Sequence, residues 1–202
     1  MELLVIRHGQ SEADLLKCHE GRADFPLTEL GLKQAIYLAD WVKNNYPPDF
    51  IISSTLKRAA KTGEILALKM NLNIKYDEDL MEFNNGELAG LPYEEAAIKY
   101  PIQPENKKAY LKFYGQETLI EFRSRAETVL ARILNEYPPE SRVAIISHGG
   151  MINMLFRSFM KMAFNMDYSI RSGDTAVHYW KVDGEKRKII FINNMEHLQK
   201  VM

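Results

Sequence analysis

Apolar residues in this chain fall into short unbroken runs and longer helical stripes. Leu3 to Ile6 is an unbroken run, as in a strand buried on both faces. From Thr28, which can cap a helix start, Leu32, Ala35, Ala39 and Val42 recur at helical spacing. Asp49 to Ser53 reads as a second strand, and Leu56, Ala59, Gly63, Leu66 and Met70 form a second helical stripe. Phe122, Ala126, Val129 and Ile133 mark a long helix running to about Tyr137. Arg142 to Ser147 is a third strand, and Ile152 to Met160 is apolar nearly all round, as in a buried helix. Val177 to Val182 and Ile189 to Ile192, joined through Asp183-Gly184, predict a terminal hairpin. Strands alternating with helices predict an α/β fold, a three-layer sandwich with a mostly parallel sheet and helices on both faces.

Pro47-Pro48 and Pro138-Pro139 each end a helical pattern just before a strand-like run, so they punctuate one fold rather than divide two. The expectation is a single domain over 1–202. Within it, residues 88–117 are irregular, with Pro92, Pro101, Pro104 and Gly115, and predict short helices capping one rim. Tyr110, Phe113 and Tyr114 in that cap suit either a ligand mouth or plain packing. Met151, Met154, Met160, Met162 and Met166 suit helix packing or an apolar lid.

At 202 residues and 46 % hydrophobic, the chain can fill one substantial core. A formal net charge of -1 gives no general pull toward nucleic acid or an anionic membrane, and neither is expected as a partner. No apolar run approaches the roughly 18 residues of a membrane span. The opening Met-Glu-Leu-Leu-Val-Ile reaches Arg7 without the layout of a signal peptide. Cys18 is the only cysteine, so no internal disulfide forms and a reducing cytoplasm is the expected compartment.

The predicted strand ends carry the chemistry. Arg7-His8-Gly9 follows the first strand, Arg58 lies in the first turn of the helix after the second, and Ser147-His148-Gly149-Gly150 follows the third. If the strands are parallel, two arginines and two histidines converge above one rim, where open α/β sheets bind ligands. Helix N-termini add attraction for an anion. Two guanidiniums suit a phosphate dianion, and positive neighbours keep a histidine neutral and nucleophilic. The second histidine can donate to the phosphate as charge develops, while a leaving alkoxide needs a proton from a carboxylic acid. Glu82, in Leu80-Met81-Glu82-Phe83, is the candidate acid. Ser11, Arg22 and Gly149 are further candidates for substrate contact. Ser11 is as well suited to capping a short helix, and Arg22 to a solvated loop. His19, His178 and His197 read as structural. His19 with Glu12 and Asp14 fits no ordinary metal-ligand spacing.

These segments resemble the histidine phosphatase superfamily, with its phosphoglycerate mutase-like fold. Met1 to Asp14, with Arg7-His8-Gly9, is similar to the family's opening strand and signature. Gly21 to Gly31 resembles G-x-x-D-x-P-L-T-x-x-G, and Ser53 to Ala59 resembles S-x-x-x-R-A. Leu80-Met81-Glu82 with Gly86 and Gly90 resembles L-x-E-x-x-x-G-x-x-x-G, and Ser147 to Gly150 resembles the second histidine motif. The resemblance implies a phosphohistidine at His8, a phosphate pocket of Arg7, Arg58 and His148, and Glu82 as proton donor and later base. It implies no metal or organic cofactor. A small phosphate ester is the implied partner; a homodimer is compatible with it, although no stretch commits to an interface.

Three positions depart from the pattern. Asp14 stands where the family often has asparagine, Leu88 where many members have tryptophan, and Gly115-Gln116-Glu117-Thr118 only loosely matches G-E-S/T. A phosphohistidine can pass its phosphoryl group to water or to a second hydroxyl, so phosphatase and phosphoglycerate mutase are the two reactions the resemblance allows. Glycolytic mutases of the family are longer, with adjacent arginines that hold a carboxylate. Between Leu88 and Gln116 this chain has Lys99, Lys107, Lys108 and Lys112 but no arginine. The expectation is a phosphomonoesterase, with the mutase, a non-catalytic phosphate binder and a metal-dependent hydrolase as alternatives.

Overall fold

A computed structural model describes residues 1–101, 108–164, 166 and 168–199. Pro104 and Lys107 of the cap lie outside the described residues. Among the described residues, six strands form one sheet: β1 (Glu2–Arg7), β2 (Phe50–Ser53), β3 (Ile74–Tyr76), β4 (Arg142–Ser147), β5 (Val177–Asp183) and β6 (Lys186–Asn194), in the order β3-β2-β4-β1-β5-β6. β1, β4, β2 and β3 are mutually parallel, while β5 and β6 run antiparallel as the expected hairpin. The helices are α1 (Glu12–Leu16), α2 (Glu29–Asn45), α3 (Lys57–Met70), α4 (Tyr93–Lys99), α5 (Leu119–Glu136) and α6 (Gly149–Phe159).

Alternation along β1 divides the core. Leu3 and Val5 face the layer containing α5 and α6, with Phe122, Val129, Ile152 and Phe159. Leu4 and Ile6 face the other layer, with Leu38, Val42 and Leu66 of α2 and α3. All four β1 residues are fully buried, which accounts for the unbroken apolar run in the sequence. The helix starts follow local chemistry. Thr28 Oγ1 accepts from Gly31 N–H at 2.9 Å, and Thr118 and Glu121 form a reciprocal capping box at the head of α5.

Three expectations need adjusting. β3 went unseen because it is only three residues on the sheet edge, with Lys75 and Tyr76 exposed. α6 buries only one face, Met151, Ile152, Leu155, Ser158 and Phe159, and the rest is half-buried. Of the methionines, Met151 is buried in the core and Met154 packs against it, whereas Met160 and Met166 are exposed. The cap holds α4 and a 3-10 turn at Gly86–Leu88, and Leu88 is buried, so its place in the pattern is one of packing. No helix among the described residues is long and apolar enough to cross a membrane.

Candidate active site

The parallel register brings the sequence-separated motifs to one rim. Arg7 pairs with Ser147, and Ser53 with Ile146, so β1, β4 and β2 end together. His8 N–H donates to Ser147 O at 3.0 Å, and Ser54 N–H to Ile146 O at 3.0 Å, tying the first loop residues to the neighbouring strand. Gly9 has no room for a side chain: a Cβ there would lie 2.6 Å from Gly31 O at the start of α2.

His8 is about 1 % exposed. Its Nδ1 donates to Gly9 O at 2.7 Å, which leaves the Nε2 lone pair free, and Arg58 Nε–H donates toward it at 3.3 Å. Burial, then the charges of Arg58 and Arg7, hold the imidazole well below the ordinary histidine range, so it is neutral at neutral pH. Arg58 is wholly buried and also donates to Ala23 O at 2.9 Å and Gly21 O at 2.8 Å. Three of its five N–H donors are thus used among the described residues, and two remain. Arg7 donates to Ser172 O at 2.8 Å and lies 3.5 Å from Asp174. Burial pushes the Asp174 carboxyl up, against the pull of Arg7.

The His148 ring is tilted across that of His8, with centroids 5.1 Å apart. Its Nε2 meets Ser54 Oγ at 2.8 Å, and its buried Nδ1 has no partner among the described residues. Burial and the nearby arginines hold it, too, well below the ordinary range. Glu82 reaches the same place from the other side. Its carboxylate accepts from Phe83 N–H at 2.7 Å and from Gly150 N–H at 2.8 Å, the latter in the first turn of α6. A side chain at Gly150 would overlap that carboxylate.

The remaining candidates are Ser11, Arg22 and Gly149. Ser11 caps α1: its N–H donates to Asp14 Oδ2 at 2.9 Å, and its hydroxyl bonds both Asp14 and Glu20. Asp14, in the place of the family asparagine, is thereby turned onto Ser11. Arg22 lies 4.0 Å from Glu117, half-buried. Gly149 begins α6, with its surroundings open.

Sequence reasoning missed Glu20 and Arg125. One Glu20 oxygen bonds Ser11 Oγ and lies 3.5 Å from Arg58 Nε; the other is 3.9 Å from His8 Nε2. Gly21 belonged to a recognised motif, and the glutamate one residue before it carried no signal of its own. Arg125, on α5, donates to Asp79 O, Met81 O and Glu82 O at 2.7, 2.6 and 3.2 Å and to Glu117 Oε1 at 2.6 Å, so it clamps the segment that carries Glu82. Nothing in a helical arginine announces that role. Above the cluster, Arg7, Asp14, Glu20, Glu82, Phe83 and Tyr93 line an open cleft. The expected cap aromatics lie elsewhere: Tyr114 bonds Pro101 O and packs on Tyr100, Phe113 lines a separate cavity, and Tyr110 is exposed. His19 meets Tyr93 edge-on at 4.7 Å.

Comparison with known proteins gives the family and the fold. The family model described as histidine phosphatase superfamily (branch 1) matches residues 3–195. The chain is 30 % identical over 208 residues to phosphoglycerate mutase-like protein 4 of Arabidopsis thaliana, covering 98 % of this chain and 87 % of that one. It is 33 % identical over 153 residues to the uncharacterized phosphatase PhoE of Bacillus subtilis (strain 168), covering 75 % and 73 %. Among solved structures, the alpha-ribazole phosphatase of Shigella flexneri superposes with a TM-score of 0.85 at 23 % identity, covering 96 % and 97 %.

Proposed function

The chain belongs to the histidine phosphatase superfamily, and from that premise we propose that it hydrolyses a small phosphate monoester through a phosphohistidine on His8, without a metal. The observation that carries this reading is the neutral His8 ring, its Nε2 lone pair unprotonated and faced by the Arg58 N–H at 3.3 Å.

Arg7, Arg58 and the unpartnered Nδ1 of His148 take the non-bridging phosphate oxygens, as donors that strengthen while charge develops in the transition state. Gly149, at the open first turn of α6, adds a backbone N–H. His8 Nε2 attacks phosphorus, forming the N–P bond as the bond to the ester oxygen breaks. Glu82, protonated, hands its proton to the departing alkoxide. Water then attacks the phosphohistidine, the N–P bond breaks, and Glu82 takes the water's proton, so that free phosphate leaves and the enzyme is restored.

The other outcome, transfer to a second hydroxyl of a phosphoglycerate, needs cations to hold the substrate carboxylate. Apart from Arg7, which the phosphate takes, the charged groups along the cleft are the carboxyls of Asp14, Glu20 and Glu82, so water is the acceptor in this reading. Among the lysines of the cap, Lys112 pairs with Glu121 at 2.7 Å and Lys99 lies over the Tyr100 ring.

Phosphate release from p-nitrophenyl phosphate and a panel of alkyl phosphates, with a chelator present, tests the reading. Release by wild type that falls about a thousandfold or more in His8→Ala is the expected result. Chelator-sensitive release, undiminished release by His8→Ala, or faster interconversion of phosphoglycerates than hydrolysis would each overturn it.

A further inference from the structure

Four carboxylates surround the two arginines of this pocket. Glu20 lies against Arg58, Asp174 against Arg7, Asp14 on Ser11, and Glu82 at the start of α6. Both histidines are buried and neutral, and Glu82 is protonated in the reading above, so Glu20, Asp174 and Asp14 still outnumber Arg7 and Arg58 around the phosphate position before the ester arrives. A phosphate dianion adds to that excess. Placing further negative charge on the alcohol half of the substrate would be worse, because Asp14 and Glu20 line the cleft above the phosphate position, while its arginine, Arg7, is taken by the phosphate. An uncharged sugar or polyol leaves the excess uncompensated. A cation on the alcohol half compensates it.

The rest of the wall points the same way. Phe83 and Tyr93 line the same cleft as the carboxylates, and Tyr93 is more than half exposed. Aromatic faces beside carboxylates are the means by which proteins hold ammonium and quaternary ammonium groups. Glu20 is the pivotal member. With one oxygen 3.9 Å from His8 Nε2 and the other 3.5 Å from Arg58 Nε, it stands where a phosphate oxygen must approach. Phosphate therefore moves its carboxylate toward the open side of the cleft, onto the alcohol portion of the ester.

We infer that the pocket selects phosphate monoesters whose alcohol carries a protonated amine or quaternary ammonium separated from the ester oxygen by two carbons, and that Glu20 sets this selectivity with Asp14 in support. The inference rests on the phosphomonoesterase reading above.

The experiment compares kcat/KM for phosphocholine and phosphoethanolamine with that for 3,3-dimethylbutyl phosphate, which has the shape of phosphocholine without its charge. p-Nitrophenyl phosphate reports that the enzyme is active. Wild type is expected to prefer phosphocholine over its uncharged counterpart by about tenfold or more. In Glu20→Gln the ratio is expected to fall to within about threefold, because the ammonium loses its carboxylate partner while relief of phosphate repulsion is common to both esters. Asp14→Asn is expected to lower the ratio less. A ratio near one in wild type, or one that Glu20→Gln leaves unchanged while p-nitrophenyl phosphate is still hydrolysed, overturns the inference alone. If wild type leaves p-nitrophenyl phosphate and every other ester intact, the phosphomonoesterase reading fails and takes the inference with it.

Discussion

His8 acquires its character from neighbours that it does not choose. In water an imidazole is half protonated near pH 6.5. Here the Gly9 carbonyl fixes the proton on Nδ1, while burial and two guanidiniums keep Nε2 unprotonated. Nitrogen-15 spectra of histidine-labelled protein should show His8 as the neutral Nδ1–H tautomer from pH 8 down to pH 5; an imidazolium signal growing in near 6.5 would contradict the arrangement. Arg58 is equally particular. Its planar fork reaches Gly21 O, Ala23 O and His8 together, a geometry that a single ammonium cannot reproduce. Arg58→Lys should therefore lose about a hundredfold or more in kcat/KM despite keeping the charge, and steady-state kinetics at several pH values would reveal a milder loss if charge alone mattered.

Between elements, the decisive contact joins the head of α6 to the segment after β3. Glu82 lies on an irregular stretch, but its carboxylate is tied to Gly150 N–H and its backbone is clamped by Arg125 from α5. Gly150 is the point of closest approach, so Gly150→Ala must push the carboxylate aside. That variant is expected to hydrolyse alkyl phosphates at least about tenfold more slowly, because a poor leaving group needs the proton. p-Nitrophenyl phosphate, whose leaving group needs little help, should be nearly unaffected. Equal losses on both substrates would remove Glu82 from the role of proton donor. The capping box of α5 permits a plainer check: Thr118→Ala should cost about 1 kcal/mol in urea unfolding, with the unfolding slope unchanged.

At the scale of the whole molecule, the terminal hairpin braces the site. Ser172, whose carbonyl holds Arg7, bonds His178 on β5, and Thr175, whose N–H donates to His8 O, bonds His197 in the 3-10 turn Glu196–Leu198. Burial depresses both histidines to about 4. Because the unfolded chain takes up protons near 6.5 and the folded one does not, this contribution is intact above about pH 6.5 and is lost progressively down to about 4. Chemical denaturation across that range should show stability falling with pH by up to about 3 kcal/mol per histidine, and His197→Gln should flatten the slope. An unchanged slope in the variant would place the proton uptake elsewhere.

The sequence by itself was enough for the layers, the main helices and the terminal hairpin, because burial on one or two faces imposes periods of 3.6 or 2 on the residues that meet the core. The unbroken run in β1 and the stripe Phe122, Ala126, Val129, Ile133 are direct imprints of that requirement. The convergence of Arg7, Arg58 and His148 was legible for a similar reason: they end a strand, start a helix or follow a strand, and parallel strands bring such positions to one rim. Other features existed only in three dimensions. β3 is too short for a period. Glu20, Arg125 and Asp174 act through partners distant in sequence, and the tautomer of His8 depends on a carbonyl and a guanidinium held by packing. Local pattern reports which side of an element is wet or dry; the balance of charge in a cleft is a sum over residues from many elements, and only the folded chain performs that sum.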